Sequence, residues 1–323
     1  MAAGQIFAGI DIGGTTIKYG LFDEQGKVQF REQKPTMVEK GPKPLMHLAA
    51  NIGERLLYTA AEEDYEVRHL GVGTPGAVDF HTGRVIGPCP NIPGWQGTEI
   101  GAGLRERLNV PVWVDNDVNA MALAEAHFGA AHGAESALCL TVGTGVGGAV
   151  IFGGRIWRGS SWSAGEVGHM TINFDAPFTH GGMPGSIEGY CSSQAILGRL
   201  RRELEREMTP GFEAVLEGNL DNLSIRKIFA ALRKDDAAAR KAITEAATYL
   251  GIGLAGVVNL LNPEMIVIGG GIAEGGGGFV EIVAAKIREL AFDSAVQNLK
   301  VVKAALGNDA GFIGAGLLGE FAA

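Results

Sequence analysis

The chain opens with a short apolar run, Ile6 to Ile10, that leads into Asp11-Ile12-Gly13-Gly14-Thr15-Thr16. Ile17, Tyr19 and Leu21 then alternate with Lys18, Gly20 and Phe22 at strand period, a turn falls at Asp23-Glu24-Gln25-Gly26, and Val28 to Glu32 reads as a returning strand. A strand, a Gly-rich turn and a second strand are not the strand–turn–helix of a Walker A or dinucleotide site, and neither GxxxxGK[ST] nor GxGxxG occurs there. The pattern predicts a helix over Pro44 to Ala61, a buried strand over His69 to Gly73, a strand pair over Val78 to Val85, and an irregular Pro88 to Trp95. Thr98 is expected to cap a helix running to Leu108. An apolar run ending at Val114 meets Asp115-Asn116-Asp117-Val118-Asn119, and a helical pattern follows from Ala120 to Phe128.

Downstream, Ser136 to Thr141 is apolar, followed by Val142-Gly143-Thr144-Gly145-Val146-Gly147-Gly148 and a strand over Ala149 to Phe152. This repeats the order of Phe7 to Phe22, and the two strand–turn–strand units suggest two similar halves. Arg155 to Tyr190 is a long, weakly periodic loop region whose aromatics and carboxylates argue for function rather than disorder. Helices are predicted over Ser192 to Met208, Ile225 to Leu232, Asp235 to Leu261, Phe279 to Leu290 and Asp309 to Ala322. Strands are predicted over Met265 to Ile268, feeding Gly269-Gly270-Gly271, and over Leu299 to Ala304. With no linker between halves, an α/β chain of two lobes sharing a long cleft is expected: residues 1–116 plus 306–323 as the small lobe, 117–305 as the large one.

Asp and Asn at a strand-to-helix corner ordinarily cap the helix. One cap needs one such residue, whereas Asp115 to Asn119 holds four, at the carboxyl end of a strand where α/β proteins bind ligands. Glycine is the compositional outlier, 50 of 323 residues or about twice the usual share, and it clusters in loops after apolar runs. That is what close approach of backbone to phosphate requires. Gly13-Gly14-Thr15-Thr16 with Lys18, Gly143-Thr144-Gly145 and Gly269-Gly270-Gly271 are therefore candidate nucleotide loops. Asp11 is a candidate Mg²⁺ carboxylate, direct or through water. Asp117 is read as the base that orients a sugar hydroxyl.

Net charge is −9 with no long basic cluster, so neither nucleic acid nor an anionic membrane is expected as partner. No signal peptide and no run of about 18 apolar residues is found, and three scattered cysteines (Cys89, Cys139, Cys191) make no disulfide framework. A cytoplasmic location is expected.

On the motifs DIGGTTIKYGLFD, GVGTPGAVD, NIPGW, DNDVNAMALAE, LTVGTGVGGAVI, AGEVGH, GSIEGY, VIGGGI and NDAGFIGAGLL, the chain resembles the ROK family of sugar kinases, within the actin-like ATPase superfamily, over nearly its whole length. The resemblance implies Asp117 as catalytic base and Asn116 as a hydroxyl ligand. It implies Gly76, Asn91, Glu166, His169 and Glu188 as sugar contacts, and Asp11, Gly13, Gly14, Thr15, Gly143, Thr144, Gly145 and Gly270 as nucleotide contacts. ATP and Mg²⁺ are the implied cofactors, a hexose the substrate, domain closure over the sugar the implied motion, and a homodimer or homotetramer the implied assembly. Glucose at the 6-hydroxyl is the leading reading, with fructose, mannose, allose or an N-acetylhexosamine as alternatives. A non-catalytic sugar sensor is a third reading, and a repressor is disfavoured because the first strand begins by Ile6. In the family a CxCGxxGCxE segment follows GH and binds structural zinc with the His. Here its thiolate positions are Thr179, Gly181 and Ser186, so no zinc is expected, which leaves His169 to contact sugar or simply to pack. A substitute site of His169, His180 and Cys191 is the weaker option.

Overall fold

The computed structural model describes residues 4–176 and 183–322. The N-terminal part builds one five-stranded sheet. Strands β1 (Phe7–Ile12), β2 (Thr16–Phe22) and β3 (Val28–Pro35) form an antiparallel meander. Helix α1 (Pro42–Glu62) crosses to β4 (Leu70–Thr74), parallel to β1, and α2 (Ile100–Leu108) leads to β5 (Val112–Asn116), parallel to β4. The order is β3-β2-β1-β4-β5, and α3 (Asp117–Phe128) follows β5 without a break. Phe7 pairs with Phe22 across the β1–β2 hairpin and their rings stack at 5.2 Å, which pins the register at its open end. β3 runs to Pro35, three residues past its expected end. It is an edge strand with almost no buried residue, so no alternation marks where it stops.

The two faces of this sheet are built differently. Ile10 and Val72 point into an apolar cluster with Leu45, Ile52 and Leu56 of α1, Leu104 of α2, and Trp95. Gly9 and Gly71, one residue back on the same strands, point the other way. There the C-terminal helix Ala310–Leu317 packs so closely that a Cβ on Gly9 would strike the carbonyl oxygen of Phe312, and one on Gly71 that of Ala315. The same helix meets α3 at Gly314, whose missing Cβ leaves room for the carbonyl of Ala120. Helix α2 starts at Ile100 with Glu99 at its N-cap, not at Thr98. Thr98 belongs to the preceding ribbon: its amide donates to Trp95 and its carbonyl accepts from Val85.

Further strands are β6 (Ser136–Val142), β7 (Val146–Phe152) and β8 (Arg155–Trp157). After them come α4 (Ile187–Cys191), α5 (Ser193–Arg206), α6 (Ala237–Leu261), β9 (Met265–Gly269), α7 (Phe279–Leu290) and β10 (Lys300–Lys303). This sheet has the order β8-β7-β6-β9-β10. A short helix at Pro210–Leu216 was not expected, although Pro at its first position is a starting signal. α6 is, among the described residues, the one helix long and apolar enough to cross a membrane, but 56 % of its apolar window is buried inside the protein, as in a core helix. Contacts divide the chain into two units: Met1–Cys139 with Ala149–Gly165 and Ala305–Ala323, and Leu140–Gly148 with Glu166–Ala304.

Two substitutions check the close packing. Gly71→Val should lower unfolding free energy by about 2–3 kcal/mol in urea titration, because backbone, not a movable side chain, fills the space. Gly256→Ala, on an exposed turn of α6 with nothing within 4 Å of a new Cβ, should instead raise it by about 0.4–1 kcal/mol.

Candidate active site

The corner between β5 and α3 divides its four polar residues among separate tasks. Asn116 is the cap: its Oδ1 accepts from the amides of Val118 (2.8 Å) and Asn119 (3.2 Å), which takes care of two of the helix's orphan donors. Its Nδ2 donates to the carbonyl of Gly76 at 3.2 Å. Asp115 is buried, and its Oδ1 accepts from the Asn116 amide (2.7 Å) and Asn119 Nδ2 (2.9 Å), while Oδ2 meets Arg158. Burial raises the Asp115 pKa, with Arg158 chief among the groups that oppose the rise. Asp117 occupies the first turn of α3 and accepts from Val118 N at 3.0 Å.

Sheet register brings Asp11 to the same edge. Asp11 pairs with Gly73 and Gly73 with Asp115, so three parallel strands end in one row. Gly73 has no side chain, and a Cβ there would come within 3.5 Å of Asp117 Cα and 3.9 Å of Asp11 Oδ1. The Asp11 carboxyl is pushed up to about 7, first by burial and then by the charge of Asp117, with Lys18 opposing. Lys18 sits opposite Asp11 in the hairpin, and its Nζ donates to Asn308 Oδ1 at 3.0 Å.

The turn between them is closed by Gly13 N donating to Thr16 O (3.1 Å). Thr36 pins it from β3's far end, its amide bonding Thr15 O (3.0 Å) and its hydroxyl Gly13 O (2.6 Å). Among the described residues the amides of Gly14 and Thr15 donate to no carbonyl, so a turn of outward donors is left. Asn91 stands beside this turn, its Cβ 3.3 Å from where a Gly14 Cβ would lie. Asp11, Gly13, Gly14, Thr15, Thr16, Lys18, Gly76, Asn91, Asn116 and Asp117 thus all lie in the first unit.

The remaining expected residues form a set in the second unit. Gly143 N donates to Gly145 O (2.9 Å), and the Gly143 carbonyl accepts from Ser193 N (2.8 Å) at the start of α5, with Thr144 exposed at the tip. Glu188, in the first turn of α4, accepts from Val146 N at 2.9 Å, so the loop and the carboxylate share one anchor. Gly168 packs on the Val146 carbonyl and places the Glu166–His169 turn beside it, with His169 Nε2 3.8 Å from Glu166 Oε2. Partial burial raises the Glu166 pKa, His169 opposes this and Glu188 adds to it. Gly270, at φ +90°, lies against the backbone of Val142 where no Cβ fits.

Asp115, Arg158 and Thr36 support these residues, yet sequence reading gave the last two no role. Trp95 is a core residue, fully buried, with Nε1 bonded to Thr74 Oγ1 at 2.8 Å. Of the segment compared with the zinc motif, Thr179, His180 and Gly181 lie outside the described residues. Ser186 caps α4, and the buried Cys191 thiol, pushed up to about 12 chiefly by burial, donates to the Ala246 carbonyl. Among the described residues no three His, Cys, Asp or Glu side chains converge on a metal position. Mg²⁺ takes one or two carboxylates and completes its shell with water and phosphate, and the hard oxygens of Asp11 fit such a role.

The chain is similar to known proteins over most of its length. A glucokinase of Thermotoga maritima is 32 % identical over 311 residues, covering 95 % of either chain. The solved ROK family glucokinase from Streptomyces griseus in complex with glucose and AMPPNP is similar at 30 % identity and TM-score 0.79, covering 97 % of this chain and 98 % of that one. A xylose repressor of Caldicellulosiruptor bescii is 30 % identical over 293 residues, covering 91 % of this chain and 72 % of the repressor. The two-sheet α/β architecture is the actin-like ATPase fold of the ROK sugar kinases. The ROK family model matches residues 7–320, and the chain belongs to the ROK family.

Proposed function

We propose that this chain transfers the γ-phosphoryl group of ATP to a hexose, with glucose phosphorylated at its 6-hydroxyl. The observation that carries the reading is the position of Asp117. It stands at the carboxyl edge of the three parallel strands, beside the raised Asp11 carboxyl and in the unit that holds the Gly14 and Thr15 amides. The glucokinase relatives support the same substrate.

In this reading Asp117 orients the sugar hydroxyl and takes its proton as the phosphoryl group moves, since a loose transition state needs alignment more than early deprotonation. Asn116 has committed its oxygen to the helix and one amide proton to Gly76, which leaves its second Nδ2 proton for a hydroxyl oxygen. Glu188 has one oxygen on Val146 N and presents the other as acceptor. Glu166, His169, Asn91 and Gly76 complete the sugar contacts, and Gly143, Thr144, Gly145, Gly270, Thr16 and Lys18 serve the nucleotide. Mg²⁺, held by Asp11 directly or through water, would neutralise charge on the phosphates. A xylose repressor among the relatives supports a second reading, a sugar-binding regulator without transfer.

Phosphorylation of a sugar panel by wild type and Asp117→Asn separates these. Glucose should be turned over best, and the variant should lose about 10²–10⁴-fold in kcat while still binding sugar in calorimetry. Binding with no turnover in wild type would establish the regulator instead. Asp11 gives a pH test. Its folded pKa of about 7 lies above the unfolded 3.8, so the stability it contributes is full below the unfolded value and is lost as pH rises through about 7. Asp11→Asn should therefore melt a few degrees higher than wild type at pH 8, with the gap closing toward pH 4. Wild-type affinity for Mg·ATP should fall as the carboxyl protonates below pH 7. Equal melting at pH 8 would contradict the raised carboxyl.

A further inference from the structure

No step above uses Arg158, a cation with a side chain only 13 % exposed just beyond β8. Its Nε donates to Asp115 Oδ2 at 2.8 Å, and Nη2 stands 2.8 Å from the same oxygen as an ion-pair contact without donor geometry. The guanidinium carbon lies 3.7 Å from the centroid of the Phe80 ring, which stacks on Trp113 of β5 at 5.4 Å. The Arg158 carbonyl accepts from Ala164 N (3.1 Å), closing a small loop, and Trp162 within that loop meets His81 edge-on at 4.9 Å. Both contacts land on consecutive residues in the turn of the two-stranded ribbon Val78–Asp79 and Arg84–Val85. All of this lies within the first unit.

The consequence appears at the other oxygen of Asp115. Oδ1 holds the Asn116 amide and the Asn119 side chain, and Asn116 in turn caps α3 and grips Gly76. The chain of contacts therefore runs from Arg158 through Asp115 into the turn that carries Asn116 and Asp117. Without the cation, a carboxylate that is 2 % exposed must take a proton or draw water into the corner, and either rearranges its acceptor bonds. A planar guanidinium donates to the carboxylate along its edge while its face stacks on the Phe80 ring, a combination that an ammonium does not offer.

We propose that Arg158 is a positioning residue for phosphoryl transfer: through Asp115 it fixes the Asn116–Asp117 turn in the orientation that aligns the sugar hydroxyl. This rests on the kinase reading above. A plain staple of the 158–164 loop would change only how much protein is native, whereas positioning changes the constants of the native fraction.

The test is steady-state kinetics of the full chain with sugar and ATP varied separately, for wild type, Arg158→Met and Arg158→Lys, with the native fraction read by circular dichroism. Arg158→Met should raise the sugar KM and lower kcat, each by about 10- to 100-fold, with the ATP KM within about twofold. Arg158→Lys keeps the charge in case the Met variant folds poorly, and should show the same pattern at smaller size. Guanidinium chloride at tens of millimolar should restore part of the sugar kcat/KM to Arg158→Ala but none to Asp117→Asn. A wild-type sugar KM in the native fraction of Arg158→Lys, with kcat falling only as that fraction falls, would overturn the proposal alone. A wild type inactive on every sugar would overturn the kinase reading and the proposal with it.

Discussion

The arrangement depends on backbone packed against backbone. The C-terminal helix lies directly on β1 and β4 because Gly9 and Gly71 have no side chains to hold it off, and on α3 because Gly314 has none. Gly311 on the same helix faces the Asp11 carboxylate at a distance no Cβ allows. One close interface therefore sets the height of Asp11 above the sheet edge, the seat of α3, and the burial that raises the Asp11 carboxyl. Any side chain added at Gly9, Gly71 or Gly314 meets carbonyl oxygens or main-chain atoms, which cannot swing aside.

Holding charge at that edge is costly, and the fold meets the cost in separate ways. Asp11 has Lys18 across the hairpin, Asp115 has Arg158, and Asn116 caps α3. Because one residue does the capping, Asp117 can stay in the first turn of α3, where the helix's N-terminal partial charge favours a carboxylate. Glu125, further along α3 and fully buried, is satisfied by three backbone amides at Ala130, Ala305 and Leu306. A buried carboxylate can thus be structural in the same helix in which another is proposed to be chemical, and the difference lies in its partners.

The second unit repeats the idea with different parts. Val146 N holds Glu188 and Gly168 packs on the Val146 carbonyl, so the carboxylate and the Glu166–His169 turn share the first residue of β7, next to the Gly-rich loop whose Gly143 carbonyl is held by Ser193 N. A shift of that strand end would move every member together.

The sequence alone determined the features that depend on near neighbours. The Phe7 to Phe22 hairpin, the Gly-rich turns, the polar cluster at Asp115 to Asn119 and most helix spans follow from periodicity and turn chemistry within a few residues. The ROK motifs carried the family for the same reason, being contiguous strings. Sequence placed the start of α3 at Ala120 and the cap of α2 at Thr98, whereas the helices begin at Asp117, behind the Asn116 cap, and at Ile100, behind Glu99. Tertiary structure alone decided which corner residue caps and which is buried. Thr36 reaches Gly13 across 23 positions and Arg158 reaches Asp115 across 43, and neither separation leaves any local pattern. Periodicity reports which face of an element is apolar, whereas the choice among Asp115, Asn116 and Asp117 was made by burial and by a cation brought from a distant strand.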